Sequence, residues 1–162
     1  MHWVHGAILA FILVGATLTL PDLPEKASEL APFKGHMIFG FVATLLTFIR
    51  IYMVRKEPEL PPLNMGDFRE SIVKWNHRLI YIVLVIVGLS GMATTKSANI
   101  GQVLIFGKDP SVYTGPGGIT QTLASLHSMS TTLLMILIIM HVLGVFSYMI
   151  KTKENVLKRM WF

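Results

Sequence analysis

Residues 126–142 read LHSMSTTLLMILIIMHV, with His127 at the start and His141 at the end. The run from Pro110 to Ile150 around them contains no Asp, Glu, Lys or Arg. Read as a helix, the fourteen residues between the two histidines rise about 21 Å and return nearly to the same face, so both imidazoles share one stripe. An ionisable side chain in so apolar a segment is costly without a partner. Each histidine therefore needs something to bind, one near each side of a membrane.

Working outward, the whole chain supports a membrane setting. Its 162 residues are 52% hydrophobic and only 14% charged, with a mean hydropathy of +0.59, whereas a soluble domain carries about a quarter charged residues. There is no cysteine, which excludes disulfides, thiolate metal sites, iron–sulfur clusters and covalently attached c-type haem within this chain. Metal chemistry must then rely on imidazole. The formal net charge of +5 does not point to nucleic acid as a partner, because the basic residues flank apolar spans and act as topology signals.

The eight prolines cluster at Pro21, Pro24 and Pro32, at Pro58, Pro61 and Pro62, and at Pro110 and Pro116. These clusters are loops, and they leave four apolar segments of spanning length at about 2–20, 35–54, 75–95 and 123–150 within one membrane domain covering 1–162. The first segment has neither the basic leader nor the small-residue cleavage site of a signal peptide, so it is expected to remain as a span. Ten of the fourteen Lys and Arg residues (Arg50, Arg55, Lys56, Arg69, Lys74, Arg78, Lys151, Lys153, Lys158 and Arg159) lie beside the second loop or after the fourth span. Lys26, Lys34, Lys96 and Lys108 lie in the first and third loops. By the positive-inside rule both termini are expected to be cytoplasmic, with the Gly-rich third loop outside.

In that topology the six histidines fall into two layers. His36 and His127 lie near the outer surface; His141 lies about 21 Å deeper, with His2, His5 and His77 at the inner ends of the first and third spans. Helix rise puts His2, His77 and His141 about 26–27 Å below their outer boundaries and His5 one turn shallower, so depth alone leaves three candidates to pair with His141. Two neutral imidazoles facing each other in each layer are what six-coordinate haem b requires, a closed site suited to electron transfer. Zinc wants three or four ligands, and the outer layer has just two histidines. Arg50, fourteen residues after His36, shares its face at the inner layer and is a candidate partner for a haem propionate. Gly15, Gly40, Gly88 and Gly91 allow close backbone approach, either of a porphyrin or of a neighbouring helix. Trp3 and Trp161 fit interfacial anchoring, and His77, beside Trp75, Asn76 and Arg78, is also placed to hydrogen-bond a quinone carbonyl.

These pieces together resemble the bacterial cytochrome b561 family, four-helix dihaem cytochromes related to the b subunits of nickel–iron hydrogenases. His2-Trp3 with Gly15, His36 to Gly40 followed by Arg50, His77 to Tyr81 running on to Leu89-Ser90-Gly91, and the His127/His141 pair followed by a basic tail resemble the family's four spans in order. The resemblance implies an all-α integral membrane protein of the bacterial inner membrane, a four-helix bundle enclosing two haem b groups. It implies His36 and His127 as iron ligands of the outer haem and His2 and His141 of the inner, with His5 and His77 as alternative ligands or quinone-site residues.

The functions implied are electron transfer between an outer-face donor, superoxide among those the family uses, and membrane quinone, which would make the chain a superoxide:quinone oxidoreductase. A rival role is a haem-bearing anchor for a larger respiratory or dehydrogenase complex, with a periplasmic partner docked on 103–106 and 114–118. A rival of another class, a metal or proton transporter using the inner histidines, leaves His36 and His127 without a common purpose.

Overall fold

A computed structural model describes residues 2–20, 22–56 and 66–157. Pro21, Pro58, Pro61, Pro62, Lys158, Arg159 and Trp161, invoked above, lie outside these residues. The protein is an all-helical bundle. The helices are α1 (His2–Thr19), α2 (Phe33–Lys56), α3 (Asp67–Ser97), the short α4 (Ile100–Leu104) and α5 (Gly118–Thr152). Among the described residues, α1, α2, α3 and α5 are long and apolar enough to cross a membrane.

The helices extend past the apolar runs where local chemistry allows. α3 begins at Asp67 after Gly66, whose φ of +75° suits a residue without Cβ. Its first turns carry Asp67 and Glu70 at the positive end of the helix dipole, and Glu70 meets Lys74 one turn on at 2.6 Å. α5 starts immediately after Pro116 and Gly117 and closes at Lys153 in the left-handed conformation, whose N–H donates back to the Met149 carbonyl.

α3 and α5 form the most extensive helix pair, with α2 packed on α3 and α1 on α2. Val83 and Leu84 of α3 meet Leu134 and Leu137 of α5, with Leu9 and Leu13 of α1 against them. Lipid tails are as apolar as these side chains, so close packing rather than exclusion of water must hold the helices together. Gly88 serves that end. A Cβ there would lie 2.5 Å from the Thr44 hydroxyl oxygen, so α3 presses bare backbone onto α2. The opposite surfaces of the four helices carry large apolar side chains, among them Phe11, Phe48, Ile82 and Leu143, all exposed and suited to lipid.

The loops over one end have a small core of their own. Leu30, Ala98 and Ile100 are buried together with Leu23, Phe33 and Tyr113 around them. Tyr113 donates its hydroxyl to the Pro24 carbonyl, and Asn99 Nδ2 donates to the Val112 carbonyl. Burial, with Glu25 and Glu29 nearby, pushes the Tyr113 phenol above its usual range. The third loop thus folds back over the bundle, with α4 inside it.

Candidate functional site

α3 and α5 run antiparallel, and a fourteen-residue repeat sets their register: His77 lies against His141 at one end and Gly91 against His127 at the other. α2 has the same repeat, with His36 facing His127 and Arg50 reaching His2. Two layers follow, about 21 Å apart along the helices.

In the first layer the rings of His36 and His127 stand 6.0 Å apart, centroid to centroid, at 84° to each other. His127 is held tightly. Its Nδ1 lies 2.9 Å from the Val87 carbonyl and 3.3 Å from Ser90 Oγ; donation to the carbonyl fixes the proton on Nδ1 and leaves Nε2 as the lone-pair nitrogen. A Cβ on Gly91 would come within 2.9 Å of the ring, so glycine is what lets the imidazole lie flat on α3. Beside the pair opens a cavity of ≈ 900 Å³, at the upper end of the roughly 300–1,000 Å³ typical of ligand and cofactor sites. Its walls come from all four long helices, and Gln102, Ile105 and Phe106 of the third loop line it as well. Gly40 also lines it, with nothing within 4 Å of the position a Cβ would take.

In the second layer His2 and His141 stand 6.2 Å apart. His77 lies closer to His141, at 4.8 Å and edge-on, and its Nδ1 is 2.7 Å from the Val73 carbonyl. His5 is turned elsewhere: it is buried, and its Nε2 sits 3.2 Å from Thr47 Oγ1. Because the Thr47 hydroxyl donates to the Ala43 carbonyl, it accepts from His5, which ties α1 to α2. Arg50 Nε donates to the Tyr81 hydroxyl at 2.9 Å, and its NH2 group lies 2.6 Å from His2 Nδ1. A guanidinium has no acceptor, so Nδ1 of His2 accepts there.

Spacing tests which pairs suit a metal between two imidazoles. Two metal–nitrogen bonds of about 2 Å each, plus about 1 Å from each ring nitrogen to its centroid, separate the centroids by about 6 Å. The 6.0 Å and 6.2 Å pairs meet that distance, and the 4.8 Å pair falls short of it. Among the described residues, no group of three or more His, Cys, Asp or Glu converges as a metal cluster, so a closed zinc site has no donor set there.

Sequence reasoning does not single out Thr47 or the place of Lys96. Lys96 lines the large cavity and brings a cation to its wall. In the sequence a lysine at the end of an apolar span is a topology signal, and nothing there says which way it turns.

Four membrane helices that hold facing imidazoles in two layers, one beside a cavity of cofactor size, define a class: membrane-embedded cytochromes of the b type. The chain belongs to the prokaryotic cytochrome b561 family, whose model matches residues 1–162. It is accordingly a multi-pass transmembrane cytochrome that binds haem b and acts in electron transfer. No curated protein and no solved structure matches the chain.

Proposed function

We propose that the chain, acting as one membrane unit, carries two haem b groups and passes electrons between a donor at the outer face and quinone at the inner face. His36 and His127 hold the outer haem; His2 and His141 hold the inner. The observation that carries this reading is the spacing of the rings: 6.0 Å and 6.2 Å in the two proposed pairs, against 4.8 Å for His77 and His141. His5 is engaged with Thr47. It serves helix packing.

Haem b supplies a one-electron carrier in each layer. The chain's own residues do the rest. Val87 and Ser90 orient His127, the loop residues Gln102, Ile105 and Phe106 cover the outer cavity, and Lys96 and Arg50 provide a cation near each layer for the propionates. The distribution of Lys and Arg supports cytoplasmic termini and an inner-membrane location.

With superoxide as donor the balance is two superoxide anions and one quinone taking up two protons to give two dioxygen molecules and one quinol. No protein partner is needed for that stoichiometry. Isolated chain in quinone-containing vesicles should consume superoxide added outside and form one quinol for every two superoxide anions. Haem that superoxide leaves oxidised contradicts the donor assignment. One observation favours the rival role of an anchor subunit: Phe106, on the cover of the outer cavity, is 72% exposed and offers an apolar contact to a docked donor protein. Full activity of the isolated chain counts against that role.

A further inference from the structure

Arg50 stands five residues, about 7.5 Å of helix rise, short of Arg55, where the apolar run of α2 ends. At that depth an arginine has a less costly alternative to the interior: its long stem can carry the guanidinium out to the lipid head groups. Arg50 does not take it. It is half-buried and turns into the bundle, although among the described residues no carboxylate forms an ion pair with it. Two neutral acceptors on two other helices hold it there. The Tyr81 hydroxyl of α3 accepts from Nε at 2.9 Å, and Nδ1 of His2 in α1 accepts from a terminal NH2 group at 2.6 Å.

The two acceptors are not equivalent. Coordination of a metal through Nε2 of His2 puts the imidazole proton on Nδ1, which then donates and no longer accepts from Arg50. The phenol is under no such condition. A guanidinium presents five N–H donors in a fixed fork, so the Nε–H can stay with Tyr81 while the terminal NH2 groups turn to another acceptor. Tyr81 also lies one turn from His77 on the same face of α3, which sets its ring toward the inner layer. It is the fixed point of the Arg50 side chain.

We propose that Tyr81 is a positioning residue for the inner layer: its hydroxyl holds Arg50 by Nε and keeps the cation beside His2 and His141 instead of among the head groups. The assignment rests on the reading that His2 and His141 hold a haem. Through Arg50, Tyr81 then sets the midpoint potential of that haem, because a nearby cation favours the reduced form, which carries one positive charge fewer. Loss of one hydrogen bond to a charged group lowers the population of the inward arginine by roughly ten- to a hundredfold.

The test is a double-mutant cycle in redox titrations of the purified, haem-loaded chain, read beside the Arg50 Nε–H signal in NMR of the reduced, 15N-arginine-labelled chain. Tyr81→Phe keeps the ring and removes the acceptor. It should lower the potential that Arg50→Gln lowers, by up to the same amount, and leave the other unchanged. In the Arg50→Gln background it should change nothing further, whereas a tyrosine that only packs would shift the potential equally in both backgrounds. The Nε–H signal, assigned by its loss in Arg50→Gln, should exchange with solvent about tenfold faster or more in Tyr81→Phe. A wild-type potential in Tyr81→Phe, equal shifts in both backgrounds, or unchanged Nε–H exchange overturns the proposal while leaving the inner haem in place. If His2→Ala keeps every haem, the inner-haem reading itself fails and the effect on potential with it; Nε–H exchange, which needs no haem, then still shows whether Tyr81 holds Arg50.

Discussion

The two histidine layers differ in how far they are built before a cofactor arrives. In the His36–His127 layer the ring of His127 is held by the Val87 carbonyl and lies on the bare backbone of Gly91, beside a cavity of ≈ 900 Å³ under a folded loop. In the His2–His141 layer the spacing is right, but Arg50 engages Nδ1 of His2. That places the imidazole proton on Nε2, so coordination through Nε2 requires the guanidinium to leave and the proton to move. One layer is preorganised and the other must rearrange. Preorganised ligands lose less on binding, so the outer haem should bind more tightly and be the last lost when haem is withdrawn.

The largest effect is expected from Gly91→Ala, which breaks the preorganised layer alone. Its Cβ would meet the His127 ring at 2.9 Å, and overpacking of that kind costs about 1–3 kcal/mol. Outer-haem affinity should fall about tenfold or more, measured by haem transfer to an excess of apomyoglobin, with the inner haem unaffected. Gly88→Ala strikes both layers through the bundle, since its Cβ would lie 2.5 Å from Thr44 Oγ1, itself anchored to the Gly40 carbonyl. It should cost about 1–3 kcal/mol and lower the melting temperature in detergent by several degrees. Gly15→Ala, with open space around it, should leave the melting temperature unchanged.

Arg50→Gln sharpens the contrast from the other side. Removing a cation near the proposed inner haem would favour its oxidised form, so the midpoint potential should fall by an amount of the order of tens of millivolts, while Arg50→Lys holds the charge and the potential. On the two-haem reading, a redox titration separates the two potentials. The smallest effect belongs to the third loop. The Ser111 hydroxyl and amide hold the Asp109 carboxyl below its usual range. A depressed carboxylate contributes stability above its unfolded pKa and loses that contribution as pH falls through its folded pKa. Asp109→Ala should therefore weaken the acid dependence of thermal unfolding slightly and change neither haem.

Much of this arrangement was readable from the sequence. Proline clusters and uncharged runs marked four helices, and the fourteen-residue spacing of His127 and His141 put two imidazoles on one stripe. What sequence could not supply was helix rotation. In a soluble helix the polar face reveals which side turns inward. Here lipid and protein interior are both apolar, and nothing in the pattern of α1 separates His2 from His5. Packing separates them: His5 turns to Thr47 and His2 to Arg50 and His141. At Gly91 the sequence leaves a porphyrin and a neighbouring helix as alternatives; the structure sets the His127 ring of α5 against it. For the third loop the sequence left a docking surface and a cover over the cavity equally open, and long-range partners such as Tyr113 with the Pro24 carbonyl make it a cover.

The most direct test of the two-layer account is the haem content of the purified chain, by pyridine haemochrome, in the wild type and in four single variants. The account predicts two haems b per chain in the wild type, one in His36→Ala, one in His2→Ala, one in His141→Ala, and two in His77→Ala. A wild-type chain with one haem, or a His77→Ala variant that loses a haem while His2→Ala keeps both, would contradict it.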